Sequence, residues 1–595
     1  MAAARTNSVL KADPIHVSGV IGVRATLRWA GRPVGQADAL DPPGDAVGRI
    51  DLAEAVATAT LRALKAVELW LQRPAGAAPK RAAGAAGQTG LDQVAGRLRL
   101  DLQVAHSPQA IRLGSDNAAG ELSKAFAPGF HGLEARRRDG ELRWRSMVWP
   151  ATALALNLRP QGQIRHLLKG VHLRHDALDA KANPEGLSWQ RFEVIHVVRP
   201  AADLPVAHLV RGNRPLPPRP FTEHDLEGAA GLMARHLVGR QNSDGSFAGT
   251  FLPTTFSFQT TRASTAESAL TAYALAMRHR LQLDTGGLDA AAVDTSNDTA
   301  LRRCIRRTAE RIAVDQTDPP DARASALLVL TVIESPILAD MKHHRDAHAN
   351  WLVSRARPDG SFASSDAASA PPLAPAAHAL VSAALASLHA QTRDGQLLPV
   401  LHAARGWFWR GTPPQRLAST LPWSHLAESR TAQTTGSGGS EQDKYAHTAA
   451  ARLSTLLKRI TNAQVMKPPL LGPPDIVGGF DPAGAGGSHP APDGRSGPLL
   501  AFLAAAVQDP SLSSAPNRAS DLIACRLAAR FLAQLMYDEP ACYYALDRRD
   551  MVGGVRPALW DNRLPLETTA MALLALTQVQ QSMETFADRT SNIEH

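Results

Sequence analysis

Four polar side chains stand near the beginnings of apolar, helix-forming stretches in the C-terminal part of the chain: Glu267, His378, Asp493 and Glu567. Carboxylates and an imidazole can transfer protons near neutral pH when their surroundings adjust their pKa values. If the helices that follow them pack side by side, these groups converge at one end of the bundle, together with Arg495. Such convergence predicts a site for general acid–base chemistry. Helix capping and the helix dipole favour an acidic residue in the first turn for purely structural reasons as well.

Two further clusters have spacings that suit binding. His344 and His348 lie one helical turn apart, which suits a metal ion, but the glutamate of a His-Glu-x-x-His motif and a third ligand are missing. The sequence therefore favours a solvated polar helix start there. Ala135–Arg145 is the densest basic cluster and could hold an anion, although a solvated hairpin is the favoured interpretation.

The sequence contains no phosphate-binding Walker-type loop, no Gly-x-Ser-x-Gly nucleophile turn and no dinucleotide-binding fingerprint. Its three cysteines, Cys304, Cys525 and Cys542, form no Cys-x-x-Cys pair, which disfavours a disulfide framework or a four-thiolate zinc site. We predict no metal site, and the cofactor stays unknown.

Charge and hydropathy bear on partners and location. The formal net charge is +9, but the arginines are scattered instead of clustered, so nucleic-acid binding is disfavoured. Met1–Gly19 lacks a continuous apolar run, and the longest apolar runs, Ala326–Ile333 and Leu499–Val507, are far shorter than the roughly 20 residues that cross a bilayer. These features predict a cytoplasmic protein without a membrane span.

Composition along the chain divides it into two domains. The 595 residues exceed the size of one ordinary core. Arg211–Pro220 holds four prolines in ten residues, which predicts a semi-rigid linker between a domain over 1–210 and a domain over 221–595. Pro74–Gly90 resembles an insertion in the first domain, and Thr431–Gln442 is typical of a mobile surface loop.

The first domain mixes strand and helix patterns. Alternation of apolar and polar residues predicts strands, 3.6-residue spacing predicts helices, and Asp139-Gly140 predicts a hairpin turn. The strands are Gly22–Trp29, Leu98–Ala105 and Arg191–Val198, the helices are Leu52–Leu71 and Gln163–His172, and the hairpin spans Leu133–Trp144. This pattern is typical of an α+β domain.

That order of elements resembles the AMMECR family over roughly residues 15–210. The resemblance rests on the elements just given, on Gly129–Leu133 before the hairpin, and on Leu167–Gly170. The family's Arg-Gly-Cys-Ile-Gly segment is absent, since the corresponding stretch near Gly31–Gly35 has no cysteine. No function that depends on that segment carries over.

The second domain is predicted to be all-helical and repetitive. Four copies of one unit recur, each with a helix, a glycine-bearing turn and a more apolar helix. The turns are Gln241–Phe247, Arg357–Phe362, Gly478–Phe480 and Gly553–Val555. Helix pairs with a buried inner ring describe an α/α toroid.

The loop Gln241–Phe247 is similar to the QW-type repeat of squalene/terpene cyclases and protein prenyltransferase β-subunits, with Phe in place of Trp. Asp359–Phe362 repeats it without the glutamine. The resemblance implies the toroid fold over about 360 residues. The Asp-x-Asp-Asp and Asp-Asp-x-x-Asp clusters of the cyclases and the Asp-x-Cys of the prenyltransferases are absent, so their chemistry is not implied.

Two functions stay open. The first is a non-catalytic binding or scaffold protein, with the toroid as platform, the AMMECR-like domain as adaptor, and an unknown small molecule or protein as partner. The alternative is an enzyme that acts in the toroid cavity on a hydrophobic or glycan-like substrate through Glu267 and Glu567. A deep polar cavity and a carboxylate with a shifted pKa would favour the enzyme.

Overall fold

The computed structural model describes most of the chain. The described residues are 20–29, 32–40, 51–71, 98–114, 117–174, 176–178, 186–199, 205–285, 295–314, 321–365, 369–434, 440–467, 474–480, 492–545 and 547–591. Met1–Gly19 and the insertion predicted over Pro74–Gly90 lie outside these ranges, and the loop predicted over Thr431–Gln442 lies partly outside them.

The N-terminal domain is built on an antiparallel sheet. Its strands are β1 (Gly22–Trp29), β2 (Arg32–Leu40), β3 (Leu98–Ile111), β4 (His131–Asp139), β5 (Leu142–Val148), β6 (Leu187–Arg199) and β7 (Ala207–Leu209). Its helices are α1 (Leu52–Leu71), α2 (Ala118–Lys124), α3 (Pro150–Ala155) and α4 (Pro160–Gly170). The strand order is β2-β1-β3-β6-β4-β5, with β7 beside β6. The α+β prediction is therefore confirmed.

Two helices cover this sheet. Helix α1 packs on β1 and β2, and α4 packs on β4 and β5. Close packing needs Gly35, because a Cβ there would lie 2.1 Å from the carbonyl oxygen of Ala63 on α1. The predicted bounds of β1 and α1 are confirmed, and the hairpin turns at Gly140, whose φ is +59°.

The second domain is an α/α toroid, as the sequence predicts. Among the described residues, outer and inner helices alternate along the chain. The outer helices are α5 (Glu223–Gly239), α7 (Thr295–Val314), α9 (Lys342–Ser354), α11 (Leu397–Gly411), α13 (Ser440–Asn462) and α15 (Ala515–Leu535). The inner helices are α6 (Thr265–Thr285), α8 (Ala322–Glu334), α10 (Pro375–Thr392), α12 (Trp423–Ala432), α14 (Ser496–Gln508) and α16 (Leu566–Ser591). A short hairpin of β8 (Phe251–Leu252) and β9 (Ser257–Phe258) precedes α6.

The inner helices close into a circle. Successive inner helices pack from α6 through α8 and α10 to α12, and again from α14 through α16 back to α6. Between α12 and α14, the rings of His425 and Phe502 meet edge-on with centroids 5.4 Å apart. Inner helices such as α8, α10 and α14 are buried on nearly all sides, and their sequences are accordingly rich in Ala and Leu.

Glycines in the four repeated turns join one outer helix to the next. Each has a φ of +83° to +90° and sits against a backbone carbonyl of another outer helix. A Cβ would lie 1.8–2.7 Å from that oxygen. The pairs are Gly245 with Arg307, Gly360 with Ala403, Gly478 with Leu527, and Gly553 with Leu232. The last pair joins the final turn to α5 and so completes the outer circle.

The proline-rich segment packs along outer helix α15. The Asn213 amide donates hydrogen bonds to the carbonyls of Gln534 and Met536 at 2.7 and 2.9 Å, and Arg530 Nε donates to Pro217 at 3.0 Å. The predicted linker is therefore packed against the toroid. No helix in the described parts of the chain is long and apolar enough to cross a membrane.

We predict that Gly360→Ala destabilises the toroid by about 1–3 kcal/mol or more, because its positive φ disfavours a side chain and the new Cβ would lie 2.1 Å from Ala403 O. Gly395→Ala is the matched control, since its Cβ would meet nothing within 4 Å. Urea unfolding followed by circular dichroism measures both. An equal effect of the two substitutions would contradict the role of the glycine turn.

Candidate functional site

A cavity of about 850 Å³ lies at the end of the toroid where α8 and α14 terminate. Glu334 is the last residue of α8 and Gln508 the last of α14, and both line it. Helix α12 forms one wall along most of its length. The rest of the lining comes from α6, α13, α16 and the residues after α14. The residues of this cavity used below are Tyr273, Glu334, Arg405, Trp423, His425, Glu428, Arg430, Gln508, Asp509, Gln578 and Gln581.

The cavity is confined to that end of the toroid. Deeper along the axis, inner helices contribute to one apolar cluster, with Val381, Leu385, Leu500 and Leu573 all at 0% exposure. Side chains packed this closely leave little space for a ligand. The middle of the toroid is thus a core, and the open space is a mouth above it.

Glu334 forms the first charged group of the cavity. Its carboxylate is 4% exposed and accepts a hydrogen bond from Arg430 Nη2 at 3.2 Å. The guanidinium of Arg280 binds its other oxygen. These contacts tie α6, α8 and α12 together at the cavity.

Glu428 on α12 forms the second charged group. Its Oε1 accepts hydrogen bonds from Arg405 Nε at 2.9 Å and from Trp409 Nε1 at 2.6 Å. Both donors lie on the neighbouring outer helix α11. The carboxylate is therefore held in place and neutralised by its partners.

Asp509 and His425 form the third group, with 3.4 Å between Asp509 Oδ2 and His425 Nε2. Asp509 Oδ1 also accepts hydrogen bonds from the backbone N–H and hydroxyl of Ser511 at 2.9 and 2.7 Å. Burial acts to raise the pKa of Asp509, but hydrogen bonds from His425 and Ser511 outweigh it and lower the pKa to about 2. Asp509 is thus ionised at neutral pH.

Aromatic rings and amides complete the lining. The rings of Tyr273 and Trp423 lie 5.9 Å apart, and burial raises the pKa of the Tyr273 hydroxyl above its usual 10. Gln508 of α14 and Gln578 and Gln581 of α16 contribute amide groups. The cavity therefore offers flat apolar faces beside hydrogen-bonding groups, as small-molecule sites commonly do.

The structure brings Glu267 and Glu567 near each other at the opposite end of the toroid. Glu267 completes a capping box, because its carboxylate accepts hydrogen bonds from Ser264 N and Oγ at 2.9 and 2.8 Å. Desolvation raises the pKa of Glu567, and the negative charge of Glu267 adds to that rise. Neither residue lines the cavity.

Asp493 and His378 also lie away from the cavity. Asp493 pairs with Arg495, with 2.6 Å between Oδ2 and Nη2, at the start of α14. His378 is fully buried between α10 and α11, where its Nε2 lies 3.1 Å from Ala404 O and its ring is 4.4 Å from that of Trp407. Burial lowers the pKa of His378 to about 4. The four candidates thus divide into a nearby pair and two separate residues, and a catalytic role for them stays a prediction.

The remaining polar clusters have local structural partners. His348 is buried and its Nδ1 lies 3.0 Å from Ser325 Oγ, whereas the His344 ring lies against His343. No group of three metal-binding side chains occurs among the residues whose positions are described. In the basic hairpin, buried Glu134 accepts hydrogen bonds from Arg136 and Arg145 at 2.5 and 2.6 Å. These pairs neutralise part of the positive charge of the hairpin.

Sequence reasoning missed the groups that line the cavity, because they follow no motif. Glu334, Arg430 and Asp509 lie at or near the C-terminal ends of inner helices, in three separate stretches. One signal was available. Glu334 ends a helix that is otherwise almost entirely apolar, and a lone carboxylate there requires a partner.

Comparison with known proteins gives no family. No family model matches the chain, and no curated protein matches it. Among solved structures, the GH76A α-1,6-mannanase of Salegentibacter sp. HEL1_6 is 12% identical, with a TM-score of 0.41 over 60% of this chain and 100% of that one. A possible member of the GH105 family from Salmonella enterica is 10% identical, with a TM-score of 0.41 over 62% of this chain and 97% of that one.

A third solved structure matches a smaller share of the chain. The uncharacterized protein PH0010 of Pyrococcus horikoshii is 14% identical, with a TM-score of 0.25 over 35% of this chain and 90% of that one. At these identities and TM-scores, the similarities identify neither a substrate nor a reaction for this chain.

Acid should destabilise the fold through His378. Burial lowers its pKa from the usual 6.5 to about 4, so the unfolded chain takes up a proton that the folded chain resists. Its contribution is fully present above pH 6.5 and is lost as pH falls toward 4. We expect His378→Gln to reduce the loss of unfolding free energy between pH 7.5 and 5.0 by about 2 kcal/mol. Urea titrations at the two pH values measure this, and an unchanged pH dependence would contradict it.

Proposed function

We propose that this chain is a non-catalytic binding protein that holds an uncharged, glycan-like small molecule in the cavity beside α12. The observation that carries the proposal is the cavity itself. Its volume of about 850 Å³ lies in the range of small-molecule sites, and its lining combines apolar surface with charged and amide groups.

Charge compensation supports an uncharged ligand. Glu334, Glu428 and Asp509 each have an arginine or histidine partner within the same cavity or beside it. A charged ligand would have to displace one of these partners and leave a partly buried charge unpaired, which is costly. A hydroxylated neutral molecule can accept from the arginines and donate to the carboxylates without breaking a pair.

The aromatic and amide groups support a sugar-like shape. A sugar presents flat C–H faces and a rim of hydroxyls. Trp423 and Tyr273 contribute apolar ring surface to the lining. Gln581 can donate and accept hydrogen bonds, and the side-chain N–H groups of Gln578 can donate them.

Binding without catalysis fits the direction in which the pKa of the cavity carboxyl Asp509 is shifted. Carboxylate acid–base hydrolysis needs one carboxyl whose pKa is raised enough to donate a proton. In the cavity, Asp509 has the opposite shift, to about 2. Glu567 has a raised pKa, but it precedes Gln578 by about three turns of α16, or about 16 Å along the axis.

That raised pKa favours one second candidate. Glu567 and Glu267 could act as an acid and its carboxylate partner at the other end of the toroid, on a hydrophobic or glycan-like substrate. The AMMECR-like and cyclase-like resemblances and a cytoplasmic location likewise stay predictions, and none of them enters this proposal.

We expect calorimetric titration with neutral mono- to tetrasaccharides to show saturable binding by the full chain. The double substitution Gln578→Ala/Gln581→Ala should weaken binding about tenfold, because hydrogen bonds from both amides are lost. Glu567→Gln is the control at the other end of the toroid and should leave the affinity unchanged.

Two results would contradict the proposal. One is that no saccharide of the panel binds. The other is that binding is indifferent to the glutamine substitutions. Chromatography of the same mixtures tests the second candidate function. That function predicts that the natural chain cleaves the saccharide and that Glu567→Gln does not.

A further inference from the structure

The N-terminal domain contains a buried charged cluster that the cavity does not involve. Asp101 is 1% exposed, and its Oδ2 accepts hydrogen bonds from Arg28 Nη2 and Nε at 2.9 and 3.2 Å. Its Oδ1 lies 2.9 Å from His196 Nε2. Burial acts to raise the pKa of Asp101, but the charges and hydrogen bonds of His196 and Arg28 outweigh it and lower the pKa. The cluster therefore keeps a carboxylate ionised in a buried place.

A tyrosine from the toroid covers this cluster. Tyr543 is 2% exposed, and its ring meets the His196 ring edge-on at 5.4 Å. The Arg28 guanidinium lies 5.2 Å from the centre of the same ring, a cation–π distance. Val198 and Leu209 complete the apolar surround.

The backbone beside Tyr543 is held as well. Arg99 of β3 donates hydrogen bonds to the carbonyls of Tyr543 and Ala545 at 3.2 and 3.4 Å. Arg99 is half-buried, and this burial lowers the pKa of its guanidinium. The ring contacts from β1 and β6 and the Arg99 hydrogen bonds from β3 thus hold the same short segment around Tyr543.

We propose that Tyr543 is the anchor that locks the two domains into one unit. In this arrangement, the Arg28–Asp101–His196 cluster is a docking site for a phenol ring, and its occupant is the toroid segment Pro540–Tyr544. Burying these charges is costly, and the cost is offset only where each charge is paired and the surface around it is well packed. The Tyr543 ring packs on Arg28 and His196, so the loss of this ring should let water solvate the cluster and open the domain interface.

The chain provides a reporter for this opening. Trypsin cleaves after arginine unless proline follows, so in Arg211–Pro220 only the Arg211–Gly212 bond is susceptible. Arg211 is 6% exposed where the domains meet, and its carbonyl accepts a hydrogen bond from Arg556 Nη1 at 2.8 Å. Cleavage at this bond therefore measures how often the interface opens.

We expect Tyr543→Ala to accelerate tryptic cleavage at Arg211–Gly212 at least about tenfold, as followed by mass spectrometry. Added phenol should slow that cleavage in a saturable way, because it can occupy the vacated space. Tyr543→Phe keeps the ring and should cleave within about twofold of the natural chain. Tyr445→Ala removes a tyrosine from α13, away from the interface, and should show no slowing by phenol.

An unchanged cleavage rate in Tyr543→Ala would overturn the proposal, and so would acceleration that phenol leaves unaffected. If Tyr543→Ala does not fold, Arg99→Ala and Tyr543→Phe replace it. The proposal then expects faster cleavage in Arg99→Ala alone, and equal rates in the two variants would overturn it.

Discussion

The close approach of glycine turns to neighbouring outer helices determines how the toroid closes. At Gly360 and Gly478, a backbone carbonyl of the next outer helix occupies the place where a Cβ would lie. The positive φ of each glycine directs the following aromatic residue, such as Phe362, into the core. Since these contacts fix the spacing of the outer helices, they also fix the circle of inner helices and the mouth at its end.

The two ends of this circle have different surroundings. At one end the N-terminal domain packs against the connection between α15 and α16, where Tyr543 and Asn562 contact it. At the other end the inner helices terminate around an open cavity with paired charges. An apolar core separates the ends, so the contact between the domains and the cavity lie at opposite ends of the toroid.

Much of this architecture follows from local sequence patterns. Strand alternation in Gly22–Trp29, helical spacing in Leu52–Leu71 and the repeated glycine turns all depend on near neighbours, and each predicts its element. The cavity depends on residues that are far apart in sequence. The ion pair of Glu334 and Arg430 forms only because the circle of inner helices brings α8 and α12 together, and no sequence motif predicts it. Likewise, capping explains Glu267 at a helix start, and local pattern alone could not separate that role from catalysis.

We propose that a ligand enters the toroid at the end where α8 and α14 terminate. Hydrogen–deuterium exchange with and without a saturating neutral oligosaccharide tests it most directly. We predict that the oligosaccharide slows hydrogen–deuterium exchange in α12 and around Asp509 and leaves exchange at the starts of α6 and α16 unchanged. Protection at the Glu267 and Glu567 end, with none in α12, would contradict it.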